Sequence, residues 1–275
     1  MPEELSTRSN SIKRINSCFE DNGFSQITTP TFEHYEALAV GWDAYLKTNS
    51  IQFFSDEGVH MVLQPEMTTP IARLVSSRKA QLPLPLKLYY VENVFRKNHI
   101  LRKNEFMQIG MEYLGVDGVK IDAQVIKVLI EVLTTIGIKN FKIEVGHTEN
   151  IKCLSEDDID NLKKGFLHKL KVVPQQGNKT ILRKGGELES FSTAICELDK
   201  DADKHLIYNM GLVEDIDYYT GIIFRVLLEG VGYVAGSGGR YNGLLKKYGR
   251  DIPAVGFALE FEKLAMAMGE TNPSC

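Results

Sequence analysis

Gln108, Gly110 and Glu112 alternate along a strand-like run from Phe106 to Leu114, so their side chains share one face. A glutamine and a glutamate on one face, opposite Arg96 of the preceding run, could hold a zwitterionic amino acid. Glu112 would take the ammonium and Arg96 the carboxylate, and Gly110 between them leaves room for a ligand. A solvated sheet face is the ordinary alternative. A second polar segment, Leu63-Gln64-Pro65-Glu66-Met67-Thr68-Thr69-Pro70, offers Glu66 and Thr68 to a ligand amine. A helix entry, with Thr69 capping and the carboxylate near the positive helix end, is the better reading of these residues alone. In Asp217-Tyr218-Tyr219-Thr220-Gly221 the paired tyrosines can wall a pocket, or one of them can be core with its hydroxyl satisfied at the edge.

Gly236-Ser237-Gly238-Gly239-Arg240-Tyr241 would let backbone approach a ligand. It matches neither the phosphate loop nor the dinucleotide fingerprint, and a tight turn is the better reading. No HExxH, GxSxG or Cys/His nucleophile arrangement occurs, and His147 stands alone, as structural histidines do. Cys18, Cys153, Cys196 and Cys275 are scattered, which suggests isolated thiols and neither a zinc site nor a disulfide scaffold. No catalytic residue, metal ligand or cofactor site is expected.

The elements that must position these residues follow from periodicity. Residues 5–21 predict an amphipathic helix with Leu5, Ile12, Ile15 and Phe19 near one face, ended by Asn22-Gly23. Phe24–Ile27 predicts a short strand running into Pro30. IQFF (51–54) and HMVLQ (60–64), joined by Ser55-Asp56-Glu57-Gly58, predict a hairpin. A helix from Thr69 to about Arg78 carries Pro70 at a tolerated position. Strands over Leu86–Phe95 and Phe106–Leu114 flank a basic connector with Arg96, Lys97, His99, Arg102 and Lys103. Asp122–Ile136 predicts a helix capped by Asp122 and ended by Gly137; Phe141, Ile143 and Val145 then alternate as a strand.

Residues 148–210 are polar and helical in tendency, a small inserted helical region between core segments 1–147 and 211–275. Residues 221–229 read as a strand, with a turn at Gly230-Val231-Gly232. Near the C-terminus Phe257, Phe261, Leu264, Ala265 and Met268 could share a helical face. Hairpin-type connections with few strand–helix–strand crossovers predict an α+β layout, an antiparallel sheet with helices packed on it.

The composition fits. The 275 residues, 43% hydrophobic and 25% charged, can bury a full core and exclude a mainly disordered or disulfide-stapled chain. A net charge of −4 excludes a whole-chain nucleic-acid footprint. No signal-like apolar segment or bilayer-length run occurs, so a cytoplasmic location is expected.

Taken in order, these segments resemble the catalytic core of histidyl-tRNA synthetase, a class II synthetase. FSQITTPTF (24–32) resembles its first motif, with Pro30 at the dimer-forming strand; LQPEMTTPIARL is similar to its histidine-binding loop. NVFR and RKNEFMQIGMEYLG resemble the second motif, DYYTG and GGRYNGL the histidine-specific segment, and AVGFALEFEKL the third motif. The resemblance assigns histidine binding to Glu66, Thr68, Arg96, Gln108, Glu112, Tyr218 and Tyr219.

Departures bear on activity. Glu214-Asp215 stands where a synthetase carries the arginine that polarises carboxylate and phosphate, and a glutamate there would repel developing negative charge. Lys263 stands for the ATP-stacking arginine and lacks its planar fork. Glu260 replaces a glycine beside the ATP pocket, and Asn98 a glutamate. Glu214, Glu260 and Lys263 are therefore read as lost catalytic positions, and no anticodon-binding domain is expected after the third motif.

A histidine pocket without adenylation chemistry is similar to the regulatory-subunit family of ATP phosphoribosyltransferase. MTTPIARL and PLPLKLYYVENVFR lie closer to that family than to true synthetases. The resemblance implies a non-catalytic subunit that pairs with a short-form catalytic subunit. That partner makes phosphoribosyl-ATP from ATP and phosphoribosyl pyrophosphate, the first step of histidine biosynthesis. It further implies feedback inhibition by histidine, a synthetase-like dimer and a hetero-octamer. The alternatives are a minimal amino-acid-activating enzyme and a tRNA-binding paralogue.

Overall fold

Helical periodicity at the start of the chain and alternation after it translate directly into elements. The computed structural model describes residues 2–78, 82–98, 103–152 and 154–269. His99, Arg102, Cys153 and Cys275 lie outside the described residues, as do the side chains of residues 2–6 and 98, which include Leu5 and Asn98.

Helix α1 (Pro2–Asp21) buries Ile15 and Phe19 and stops at Gly23, whose φ of 80° suits glycine. Next come β1 (Ser25–Gln26), β2 (Phe32–His34), α2 (Tyr35–Ala39), α3 (Ala44–Asn49), β3 (Gln52–Phe54) and β4 (His60–Leu63). The expected hairpin is β3–β4, and β2 completes a small antiparallel sheet of order β2-β4-β3. After α4 (Thr68–Ser77), the long strands β5 (Leu86–Asn98) and β6 (Lys103–Leu114) pair antiparallel. Helix α5 (Val119–Thr135) ends before Gly137, with φ of 89°. Then follow β7 (Phe141–His147), α6 (Glu156–Lys163), β8 (Gln176–Gly177), α7 (Glu187–Leu198), β9 (Leu206–Asn209), β10 (Ile222–Leu228), β11 (Val234–Arg240), α8 (Leu244–Lys247), β12 (Ala254–Glu260) and α9 (Phe261–Ala267).

The main sheet has nine strands in the order β1-β5-β6-β12-β11-β10-β7-β9-β8. Its neighbours are antiparallel except β1·β5 and β7·β9, which is the expected α+β, class II synthetase-like layout. Period-two alternation splits the sheet chemically. Ile109, Met111 and Tyr113 of β6, with Val255, Phe257 and Leu259 of β12, join Ile15, Phe19, Ile126 and Leu129 of α1 and α5 in the main core. The opposite face carries Gln108, Gly110 and Glu112 beside Gly256, Ala258 and Glu260, register-paired across β6 and β12. A second core there, with Met67, Ile71, Tyr90, Phe106, Tyr218, Tyr241 and Leu244, holds α4 and α8 against that face.

Several sequence expectations are corrected. Asp122 does not cap α5: Gly118 is the N-cap, and Asp122 lies in the first turn, buried against Arg240 at 2.7 Å. Thr69 does not cap α4; the Glu66 carboxylate does, accepting from the Thr68 and Thr69 amides. GSGGR is the interior of β11, where a Cβ at Gly238 would lie 2.4 Å from the Gly256 carbonyl oxygen and 2.5 Å from the Phe224 ring. Phe257 belongs to strand β12, and helix α9 begins only at Phe261. Residues 148–210 supply α6 and α7 but also β8 and β9, which extend the main sheet. Among the described residues no helix is long and apolar enough to cross a membrane, and Cys18 and Cys196 are free thiols.

Candidate functional site

The polar face of β6 and β12 opens into a cavity of about 440 Å³ lined by Glu66, Thr68, Arg96, Gln108, Tyr218 and Tyr219, with Glu214, Glu260 and Lys263 in the same wall. Every residue assigned to histidine binding or read as a lost catalytic position, except Glu112, therefore lines one space. Glu112 lies just beneath it, 1% exposed and bonded to two of the lining side chains.

Glu112 is the floor. Oε1 accepts from the Thr68 hydroxyl at 2.7 Å, and Oε2 accepts from the Tyr241 hydroxyl. Burial pushes its carboxyl up to about 8; the Tyr241 and Thr68 donors pull the other way, and the nearby Glu66 charge adds to the rise. Glu66 sits at the start of α4, where its oxygens accept from the amides of Thr68 (2.7 Å) and Thr69 (3.0 Å), in the positive field of the helix end. Burial raises its carboxyl as well, against those donors and Arg96. Gln108 accepts from the Met67 amide at 3.1 Å. Two buried carboxylates beside hydroxyl and amide groups suit a ligand that brings positive charge.

Glycine makes this packing possible at Gly256, where a Cβ would stand 2.0 Å from Glu112 Oε2 and 2.4 Å from the Met111 carbonyl oxygen. Gly110 does not leave room for a ligand as expected. The space above it is taken by Tyr90, whose hydroxyl would lie 2.4 Å from an added Cβ. Nor is this face solvated, since Gln108 is 6% exposed. Tyr218 packs edge-on to Tyr219 and Tyr241, with ring centroids 5.0 and 5.7 Å apart, and the three rings wall the cavity.

Three of the four cations that line the cavity, Arg96, Lys263 and Arg225, are already matched; the fourth, Lys163 at the exposed end of α6, has no ion-pair partner among the described residues. Arg96 donates to the Pro65 carbonyl at 2.7 Å, lies over the Phe106 ring at 4.4 Å, and meets Glu260 at 3.2 Å. The other Glu260 oxygen is 2.7 Å from Lys263 Nζ, which also donates to the Val234 carbonyl at 2.7 Å. Glu214 accepts from Arg225 Nε at 2.5 Å, and Arg225 also donates to the Val213 carbonyl. Burial pushes Glu214 up to about 7, outweighing Arg225. Apart from Lys163, a nucleotide's phosphates would thus meet guanidinium and ammonium groups whose charge is spent on carboxylates.

Sequence reasoning missed Tyr241 and Arg225 as pocket residues. Arg225 is the lone charge in the apolar run of β10, and Tyr241 continues the alternation of Ser237 and Gly239 on β11; both were readable signals. His147 is structural, as expected: Nδ1 accepts from the Glu149 amide at 3.1 Å. Among the described residues no group of three or more His, Cys, Asp or Glu side chains could hold a metal ion.

Comparisons with known proteins agree with this geometry. The family "Histidyl-tRNA synthetase" matches residues 1–171 and 162–264. The ATP phosphoribosyltransferase regulatory subunit of Thermoanaerobacter pseudethanolicus is 32% identical over 98% of this chain and 80% of its own length. The crystal structure of an ATP phosphoribosyltransferase regulatory subunit/histidyl-tRNA synthetase from Bacillus halodurans superposes with a TM-score of 0.83 at 27% identity, covering 97% of this chain and 80% of that one. The apo histidyl-tRNA synthetase of S. aureus shares the fold at a TM-score of 0.70 and 22% identity, over 100% of this chain and 69% of its own.

Proposed function

The chain belongs to the family of ATP phosphoribosyltransferase regulatory subunits, built on the histidyl-tRNA synthetase fold, and from that premise we propose how it regulates. It is a non-catalytic subunit of an ATP phosphoribosyltransferase complex in histidine biosynthesis. It activates a short-form catalytic partner in the cytoplasm and makes that partner sensitive to histidine.

The observation that carries this reading is the division of the cavity. Its cradle for a small zwitterion, Glu66, Thr68, Gln108, Glu112, Tyr218 and Tyr219, is assembled. Its Arg96, Lys263 and Arg225 are neutralised by Glu260 and Glu214 where adenylation needs cations open to phosphate. Histidine binds with its ammonium toward Glu112 and Glu66 and its carboxylate toward Arg96. Regulation requires that histidine bind the inhibited assembly more tightly than the active one, a coupling on the order of 1–3 kcal/mol. Self-association uses the small sheet, a reading supported by Phe32 (54% exposed) and Phe54 (70% exposed), which present apolar surface there. The full assembly is a hetero-octamer.

Copurification with a short-form phosphoribosyltransferase, then an activity assay with and without histidine, tests the reading. The expected result is activity that depends on this chain and falls with histidine. Activity indifferent to either would refute it. Calorimetry should show histidine binding lost in Glu112→Ala; unchanged affinity would place the effector elsewhere.

A further inference from the structure

Among the described residues that line the cavity, Glu260 is the acidic group that touches two cations, each held in place by something else. Arg96 is anchored by the Pro65 carbonyl and the Phe106 ring. Lys263 is anchored by the Val234 carbonyl and is 7% exposed. Glu262, two residues on, accepts from the Met107 amide at 3.1 Å and ties α9 to β6. Removal of the Glu260 side chain from between its partners would therefore leave both cations, and the helix that bears one of them, where they are. Two pre-positioned, largely desolvated cations facing one cavity make an oxyanion site.

We infer that Glu260 is a built-in counter-anion that fills an oxyanion subsite made by Arg96 and Lys263, and that a ligand's carboxylate enters by displacing it. The inference rests on the proposed function only for the identity of that ligand. Exchange of one carboxylate for another leaves the charge at the two cations unchanged, so a zwitterion can enter. A polyphosphate would bring several negative charges against the displaced Glu260 carboxylate, which stays in the cavity wall, and is turned away. Glu260 thus acts as a specificity-determining residue: it sets an entry cost for every anion, which a single carboxylate can meet and a polyphosphate cannot.

Calorimetry on the full chain and its Glu260→Gln variant tests this, with three probes: histidine, histidinamide, which lacks the carboxylate, and inorganic pyrophosphate. The variant should bind histidine on the order of 10- to 100-fold more tightly, the range of one charge-assisted hydrogen bond freed from competition. Histidinamide affinity should stay within about two-fold, since its binding needs no displaced carboxylate. Pyrophosphate should bind the variant and not the parent. Equal histidine affinity in both proteins without pyrophosphate binding would overturn the displacement while leaving the proposed function standing. Pyrophosphate binding by the variant, with histidine bound by neither protein, would uphold the subsite and refute the proposed effector. If circular dichroism shows the variant unfolded, Glu260→Ala, which likewise removes the charge, takes its place with the same readings.

Discussion

Replacing Glu112 by glutamine should flatten the pH dependence of stability and remove ligand binding in one step. The carboxyl is fully buried, and burial lifts it from an ordinary 4.5 to about 8. A carboxyl raised in the folded state lets the folded chain hold more protons than the unfolded chain across that window. Stability is therefore full below the unfolded value and is lost as pH rises through the folded one. One such group contributes a slope of up to about 1.4 kcal/mol per pH unit. Between about pH 5.5 and 7.5 the parent should lose roughly 2–3 kcal/mol through Glu112 alone, and the variant should not. Glu214, raised to about 7, and Asp122, raised to about 6, keep a residual slope in both proteins. The amide fills the same volume, and the Thr68 and Tyr241 hydroxyls can rotate to accept as well as donate. Urea denaturation at four pH values measures the slope. Parallel curves for the two proteins would mean that Glu112 ionises as freely in the folded chain as in the unfolded one.

Two further perturbations read the same architecture. Gly256→Ala puts a Cβ 2.0 Å from Glu112 Oε2 and 2.4 Å from the Met111 carbonyl oxygen. It should destabilise the chain by about 1–3 kcal/mol and abolish histidine binding, as urea unfolding and calorimetry would show. Arg225→Met leaves Glu214 buried without its partner, and should cost about 3–5 kcal/mol near pH 8.5 but much less near pH 5.5, where the carboxyl is protonated in the folded state; equal losses at both values would contradict the assignment.

Elements with one dominant signal were legible. Helix α5 repeats Ile126, Leu129, Ile130 and Leu133 at helical spacing and ends at Gly137. The alternation of Gln108 and Glu112 placed both on one face of β6. What failed depended on partners distant in sequence. The glycines of β11 read as a turn because their reason lies in neighbouring strands, the Gly256 carbonyl and the Phe224 ring. Phe257 read as helical because a continuous apolar run gives a buried strand and a buried helix the same pattern; the strand–helix boundary falls at Glu260. Asp122 read as a cap because capping is a local rule, while its actual partner, Arg240, is 118 residues away. β8 and β9 span two and four residues, too short for alternation to register. The proposed site residues could be singled out because their polar positions are clustered in order along the chain, and all of them but Glu112 line one cavity. Their pairing with Glu260 and Arg225 could not be, since an ion pair across strands leaves no mark on either segment.

Histidine-dependent exchange of labelled pyrophosphate into ATP by the purified chain decides whether adenylation chemistry survives in this cavity. With Glu260 holding Arg96 and Lys263, and Glu214 holding Arg225, exchange is expected at the background rate with or without histidine. Exchange at a rate comparable to an active histidyl-tRNA synthetase would contradict that expectation.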